Sequence, residues 1–392
     1  MSDELLKQLK KIDPDVLTDV VRKDQRNSEL VLLDWTVNPL SHEKIIDTTG
    51  GLFCFSGQSQ SSQGVRPWKI VMKCINNPAE LSENPRVWYY WKREILAFQS
   101  GLLAHLPPGV RAPRFYGVTE NETGAWIWME YIEETTGKHW TLEDFRRAAQ
   151  HLGRSQGKYL AGTPLIDQPW LTQTFFRSTW DKKGRWSMFM DPASAENAWQ
   201  SPITQRGFDD RHTSRVLQLL AEKERFFDVN DRLPQVLCHN DASRRNFIWA
   251  RSVETGEEEL IAVDWAFCGI GGIGNDLGGL VGTSMFFFEY DPRDAETLEL
   301  AQLDGYLAGL TESGARLDAR LVRLGYLISL SFWMGAMLPG WAAVMLAPDS
   351  GFNVQAMYGR QAEEVLDGWV RLDTFCLDRA DEARNLIEQL GL

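Results

Sequence analysis

The stretch VLCHNDASRRNFIWA (residues 236–250), followed by ELIAVDWAF (259–267), decides how this chain is read. It is a short β-rich island in a region otherwise patterned for helices, and its apolar runs frame a tight polar loop. In that loop Asp241 and Asn246 stand five residues apart, and a second aspartate, Asp264, closes the next apolar run. Phosphoryl transfer needs this donor set: a carboxylate to orient an attacking hydroxyl and take its proton, and oxygen ligands to hold Mg²⁺ against nucleotide phosphates. Turn chemistry alone explains Asp241 or Asn246 taken singly. It does not explain the partners found elsewhere in the chain.

Upstream, WTVNPL (35–40), GLFCFSG (51–57) and WKIVMKCI (68–75) are β-rich runs, with QSQSSQGVRP (58–67) between the last two read as a hairpin loop. Trp91, Ile95, Phe98 and Leu102 then recur at helical spacing, and PRFYGV (113–118) and AWIWMEYI (125–132) read as further strands. The expectation is a nucleotide-binding lobe over residues 1–130 with about five strands and one main helix, including an N-terminal helical extension with a helix signal at Asp13-Pro14. Lys73 ends its β-rich run. Glu94 projects from the apolar face of its helix, where a carboxylate is costly unless a cation satisfies it. A lysine on a neighbouring strand answers that need.

Downstream, Thr141-Leu142-Glu143-Asp144 starts a helix with the stripe Phe145, Ala148, Ala149 and Leu152. Helical patterns also cover 211–228, 294–310, 318–338 and 355–390, so residues 131–392 read as a larger helical lobe holding the loop and the substrate site. Gly325 to Ala347 carries no charge, but Pro339-Gly340 divides it, and a buried core helix is the better reading than a membrane span. The fold class is therefore α+β: a small β-rich lobe, then a mostly helical one.

With H-x-D-x-x-x-x-N, the strand-terminal Asp264, and the runs REILAFQSG, LGRSQGKYL and IAVDWAFCGIGGIGNDLGGLV in place, the chain resembles the aminoglycoside phosphotransferase and choline kinase-like family, whose fold is protein-kinase-like and two-lobed. The likeness spans roughly residues 30–340. It implies a catalytic loop with Asp241 as base and His239 as the residue that organises it, and Asn246 and Asp264 as Mg²⁺ ligands. It implies further that Lys73, paired with Glu94, holds the phosphates of ATP or GTP. The purine would lie against Glu130 and Ile132 with Met129 behind it, and Asp276 would bond back to the loop from the start of a helix. The chain departs from the family at Ser243, two residues after the base, where related loops carry Lys or His; Arg244 or Arg245 could neutralise phosphate instead. Thr48-Thr49-Gly50-Gly51 is not a full glycine-rich phosphate loop.

Composition sets the outer bounds. At 392 residues, 43% hydrophobic and 24% charged, the chain has apolar material for packed cores, so a disordered chain is excluded. The net charge of −13 excludes a nucleic-acid or anionic-membrane partner. Residues 1–130 are nearly balanced (15 basic, 16 acidic), whereas 131–392 hold 26 basic and 38 acidic residues, which favours a cationic small-molecule substrate in the second lobe. Trp140, Trp170, Trp180, Trp186 and Trp199 could line its walls, although core packing is the commoner use of tryptophan. Five scattered cysteines (Cys54, Cys74, Cys238, Cys268, Cys376) form no C-x-x-C pair, so neither a disulfide framework nor a zinc ribbon is indicated. With a charged N-terminus that is no signal peptide, this favours a cytoplasmic monomer or homodimer.

Two competing readings remain. Gly269-Ile-Gly271-Gly-Ile-Gly274 after a strand, with Glu289 twenty residues beyond its first glycine, copies a dinucleotide-binding fingerprint and would make the chain an NAD-dependent oxidoreductase. The strand–helix alternation such a sheet needs does not follow it, and Gly278, Gly279 and Gly282 are poor helix material. The other is a nucleotide-binding regulatory protein without transfer activity. Against it, Lys73, Glu94, His239, Asp241, Asn246, Asp264 and Asp276 are all present. No Ala-Pro-Glu segment follows Asp264, so a small-molecule acceptor is preferred to a peptide.

Overall fold

The computed structural model describes residues 3–41, 49–77, 84–121, 124–137, 139–181 and 185–392. Helices α1 (Asp3–Leu9) and α2 (Pro14–Asp24) come first, with the Asp13 side chain accepting from Asp15 N–H at 2.9 Å as the N-cap of α2. Then come β1 (Val31–Ser41), β2 (Thr49–Ser61), β3 (Gly64–Asn76), α3 (Arg93–Gln99), β4 (Val110–Arg111), β5 (Phe115–Asn121) and β6 (Gly124–Glu130). Five of these strands form one antiparallel sheet in the order β1-β2-β3-β6-β5. The run expected as a hairpin loop is mostly strand: β2 and β3 pair from Thr49↔Ile75 out to Ser61↔Gly64, leaving Ser62-Gln63 as the turn. Its polar side chains hid the pairing, because both strand ends extend past the core into solvent.

Alternation in β3 sorts the lobe into two faces. Ile70, Met72 and Cys74 pack with Phe53, Phe55 and Trp128 against Leu9, Leu17, Val20 and Val21 of the helical extension. Val71 and Ile75 face the other way, into the main core with Ile95 and Phe98 of α3. Lys73 shares that second face, which sends its side chain toward α3 and the cleft. Burying Phe53 and Phe55 fully stabilises by about 1.5–3 kcal/mol each, so the extension is integral to the sheet.

The second region starts with α4 (Leu142–Leu160), whose expected capping box is present: Asp144 N–H donates to the Thr141 hydroxyl at 3.2 Å and Thr141 N–H to the Asp144 carboxylate at 2.8 Å. There follow α5 (Phe175–Thr179), α6 (Arg185–Met190), α7 (Pro202–Gly207), α8 (Asp210–Ala221) and α9 (Lys223–Arg232). The β island splits into two small sheets. β7 (Gln235–Cys238) pairs antiparallel with β10 (Gly269–Gly272), while β8 (Phe247–Arg251) and β9 (Glu258–Ala262) pair with each other and β9 runs parallel to β4.

Helices α10 (Asn275–Phe286), α11 (Ala295–Ser313), α12 (Ala319–Leu330), α13 (Leu338–Met345), α14 (Val354–Tyr358) and α15 (Ala362–Leu390) complete the chain. Every residue of α10 is buried, and its glycines are sites of close approach: a Cβ on Gly278 would stand 2.8 Å from Leu330 N. Packing overrides propensity here, so a helix forms where the glycines argued against one. The uncharged stretch breaks at a π-helical turn, Ser331–Gly335, and Pro339 sits harmlessly in the first turn of α13. Among the described residues Ala319–Met345 is long and apolar enough to cross a membrane, but 83% of its most apolar window is buried in the protein.

Candidate active site

Lys73 Nζ donates to Glu94 Oε2 at 2.6 Å and to Asp264 Oδ1 at 2.7 Å. The three come from β3, α3 and the turn after β9, so one ammonium joins the sheet to the second region. Burial opposes the Lys73 charge, but Asp264 and Glu94 outweigh it and hold the ammonium far above its ordinary range. Burial raises the Glu94 carboxyl against the pull of Lys73, and Trp265 N–H donates to its other oxygen at 3.2 Å. Asp264 is desolvated too, yet Lys73 keeps it below the usual carboxylate value. Its backbone is left-handed (φ 62°), a conformation held by the surrounding bonds, and its side chain stays 39% exposed toward the cleft.

The loop after β7 is tied down from beneath by α10. Asp276 accepts from His239 N–H at 2.7 Å, Asn240 N–H at 2.8 Å and the Gln156 amide at 2.7 Å, while Tyr306 O–H donates to Gln156. Asp276 is thus a loop anchor. It is not the N-cap of its own helix, a position Gly274 takes at φ +89° because the chain must turn left-handed against Val322. His239 uses both ring nitrogens inside the loop: Nε2 lies 2.9 Å from the Val263 carbonyl and Nδ1 accepts from Asp241 N–H at 3.3 Å. Burial lowers its pKa to about 4, so the ring is neutral and organises the loop.

The Asn246 amide donates to the Asp241 carbonyl at 2.9 Å and to Asp241 Oδ2 at 2.8 Å. That leaves the amide oxygen of Asn246 as its acceptor for a cation. Burial, then the nearby Asp264 charge, raises the Asp241 pKa to about 8. Among the described residues no group of three His, Cys, Asp or Glu could hold a metal by itself. Asp264 and Asn246 are hard oxygen donors, too few for an all-protein cage but suited to Mg²⁺ that brings phosphate oxygens with it.

At the C-terminal end of β6, the Glu130 carboxylate binds Arg111 at 2.7 Å and Arg114 N–H at 3.0 Å, and Arg111 also reaches Glu259 of β9 at 2.7 Å. Glu130 N–H donates to the Arg114 carbonyl, while Ile132 lies half-buried in the linker and its backbone makes no hydrogen bond among the described residues. Met129 is buried behind them. Thr48 lies outside the described residues; Thr49, Gly50 and Gly51 open β2.

Several working residues were not foreseen. Arg93, next to Glu94, is fully buried and donates to the carbonyls of Trp170, Trp88 and Ala266 at 2.8, 2.7 and 3.2 Å, which docks α3 on the segment after Asp264. Gln156 sits in the run LGRSQGKYL, noted only for its likeness. The two loop arginines diverge. Arg244 is buried, donates to Glu134 at 2.6 Å and to the Gly137 carbonyl, and so clamps the linker. Arg245 pairs with Glu289 at 3.2 Å. Trp140, Trp170 and Trp180 are core residues, and Trp186 and Trp199 are half-buried. The glycine fingerprint is absorbed by structure: Gly269–Gly272 is β10, antiparallel to β7, and its supposed ribose acid, Glu289, pairs with Arg245. A parallel β-α-β crossover, which a dinucleotide site requires, is absent there.

A family model described as the phosphotransferase enzyme family (APH) matches residues 90–312, more than half of the chain. The chain belongs to the phosphotransferase enzyme family. Its fold is α+β, with a β-sheet N-terminal region and a mostly helical C-terminal region. Among solved structures, a microcompartment-associated aminopropanol kinase aligns over 95% of this chain and 98% of its own, at 12% identity and a TM-score of 0.50. An amicoumacin kinase, in complex with AMP-PNP, Ca²⁺ and amicoumacin, aligns over 92% and 96% at 15% identity and a TM-score of 0.48. An aminoglycoside phosphotransferase from Streptomyces rimosus, in complex with ADP and streptomycin, aligns over 82% and 98% at 15% identity and a TM-score of 0.40. A comparison with curated proteins gives no match.

Proposed function

We propose that this phosphotransferase moves the γ-phosphoryl group of ATP or GTP onto a hydroxyl of a small, amine-bearing acceptor. The observation that carries the reading is the bonding of Lys73 to both Glu94 and Asp264, next to a loop in which Asn246 orients Asp241. Asp241 is the base: it accepts the proton of the acceptor hydroxyl as that oxygen attacks the γ-phosphorus and the bond to the bridging oxygen breaks. No phosphoenzyme forms. Lys73 holds the phosphates, Glu94 holds Lys73, and His239 and Asp276 hold the loop. Asn246 and Asp264 would hold Mg²⁺, which when bound supplies positive charge to the phosphate oxygens.

The purine lies against the backbone of Glu130 and Ile132 at the linker between a nucleotide lobe (1–130) and a substrate lobe (131–392). The surplus of acidic residues after residue 130 supports a cationic acceptor, such as an amino alcohol, an amino sugar or an aminoglycoside. Thermal melting with Mg²⁺ and ATP, GTP or NAD(H) tests the reading. An upward shift with a triphosphate, absent in Lys73→Ala, is expected; a shift with NAD(H) alone sinks it.

A further inference from the structure

One side chain ties the loop that carries Asp241 to the linker after β6. Arg244 is buried, and one of its terminal amino groups donates to Glu134 Oε1 at 2.6 Å and to the Gly137 carbonyl. Its guanidinium also lies 5.4 Å from the ring centroid of Trp140, at the end of the same linker. Glu134 is the carboxylate paired with it among the described residues, while its Nε is buried with no acceptor. A desolvated guanidinium held by one carboxylate is costly to release, so the linker stays against the loop. Beside it, Thr135 N–H and Oγ1 both donate to the Trp249 carbonyl of β8, at 2.8 and 3.0 Å. Inside the loop, Asn246 N–H donates to the Ser243 carbonyl at 3.1 Å, and Phe247 N–H to the Ser243 and Arg244 carbonyls at 3.0 and 3.3 Å. The turn that presents Arg244 therefore also places Asn246, whose amide holds Asp241 Oδ2 at 2.8 Å. A run of direct bonds leads from the linker, through Arg244, to the Asp241 carboxylate.

Resting on the phosphotransfer reading above, we propose that Arg244 is a positioning residue, through which the linker that meets the purine and the carboxylate that receives the acceptor's proton are ordered as one unit. Holding the loop in place does not by itself call for such a tie. Asp276 already anchors the loop's start, through His239 N–H and Asn240 N–H. What Arg244 adds is a bond to the linker at the other end, next to Asn246. Arg245 does not supply it, since it turns to Glu289 at 3.2 Å. A nucleotide that fixes the linker backbone thereby fixes Asn246 and, through it, Asp241, so the base is ordered before the acceptor arrives.

Hydrogen exchange on the full-length protein, with and without Mg²⁺ and a non-hydrolysable ATP analogue, reads both ends of the tie. The linker segment 131–137 contains Thr135 N–H, and the loop segment 239–247 contains Asn246 and Phe247 N–H. Without nucleotide, Glu134→Gln, a change confined to the linker, should speed exchange in the loop by about fivefold, since a charge-assisted bond becomes a neutral one about half as strong. Arg244→Gln should speed both segments by about tenfold, the worth of one charge-assisted bond. The analogue should slow both segments in the parent protein, but only the linker in Arg244→Gln. Loop exchange unchanged in Glu134→Gln, protection of the loop by the analogue that survives Arg244→Gln, or an equal acceleration of every segment of the chain overturns the proposal. An analogue that slows neither segment of the parent sinks the phosphotransfer reading instead; Glu134→Gln then still decides the tie, which stands if loop exchange quickens and falls if it does not.

Discussion

On the sheet side of the cleft, Lys73 lies between Glu94 and Asp264 at 2.6 and 2.7 Å, and Glu94 gains a backbone donor besides. On the helical side, the Asp241 carboxylate has the Asn246 amide as its side-chain partner, and Glu289 keeps a buried oxygen with no donor among the described residues. One wall is electrostatically closed before any ligand arrives; the other is not. On the proposed reading, the difference suits a reaction in which the cation that would hold phosphate is preset while the acceptor and the transferred group finish the loop.

Lys73→Met should break this comparison most severely. It leaves Glu94 buried and uncompensated, so stability should fall by about 3–5 kcal/mol in chemical denaturation, together with loss of the nucleotide-dependent melting shift. Unchanged stability would mean that Glu94 is not a buried charge in solution. Asp276→Ala should cost about 2–3 kcal/mol, because two loop N–H groups lose their acceptor. Here turnover should fall more than nucleotide affinity does, since the sheet side is untouched.

A third variant sharpens the contrast through pH. The Asp241 pKa stands at about 8 against 3.8 for the ordinary group, so between those values the folded state keeps a proton that the unfolded state has lost. Stability of the nucleotide-free protein should therefore decline as pH rises through that window. Asp241→Asn should remove the decline and raise the melting temperature near pH 8, while turnover drops by about 10²–10⁴-fold. A variant that melts lower than the parent at that pH would show the Asp241 side chain to be structural.

Much of the site was legible because its residues lie close together in the chain or bear an obvious debt of charge. Asp241 and Asn246 share one loop, and Glu94 on an apolar helix face called for a cation that β3 alternation then placed at Lys73. Both strands of the β2–β3 hairpin carry a strand pattern, but their polar ends read as loop, since hydrophobic alternation fades where the side chains are polar and mostly exposed.

The sequence by itself determined the two-region α+β class and marked the candidate loop at residues 239–246, because periodicity and short-range spacing are local properties. Tertiary structure alone decided what Arg93, Gln156, Arg244 and Glu289 do, because their partners lie 77, 120, 110 and 44 residues away along the chain. It also decided that the glycine run is a strand followed by a buried helix. A glycine's worth there is set by the Leu330 and Ala242 backbones it lets approach, and no local pattern records who the neighbour will be.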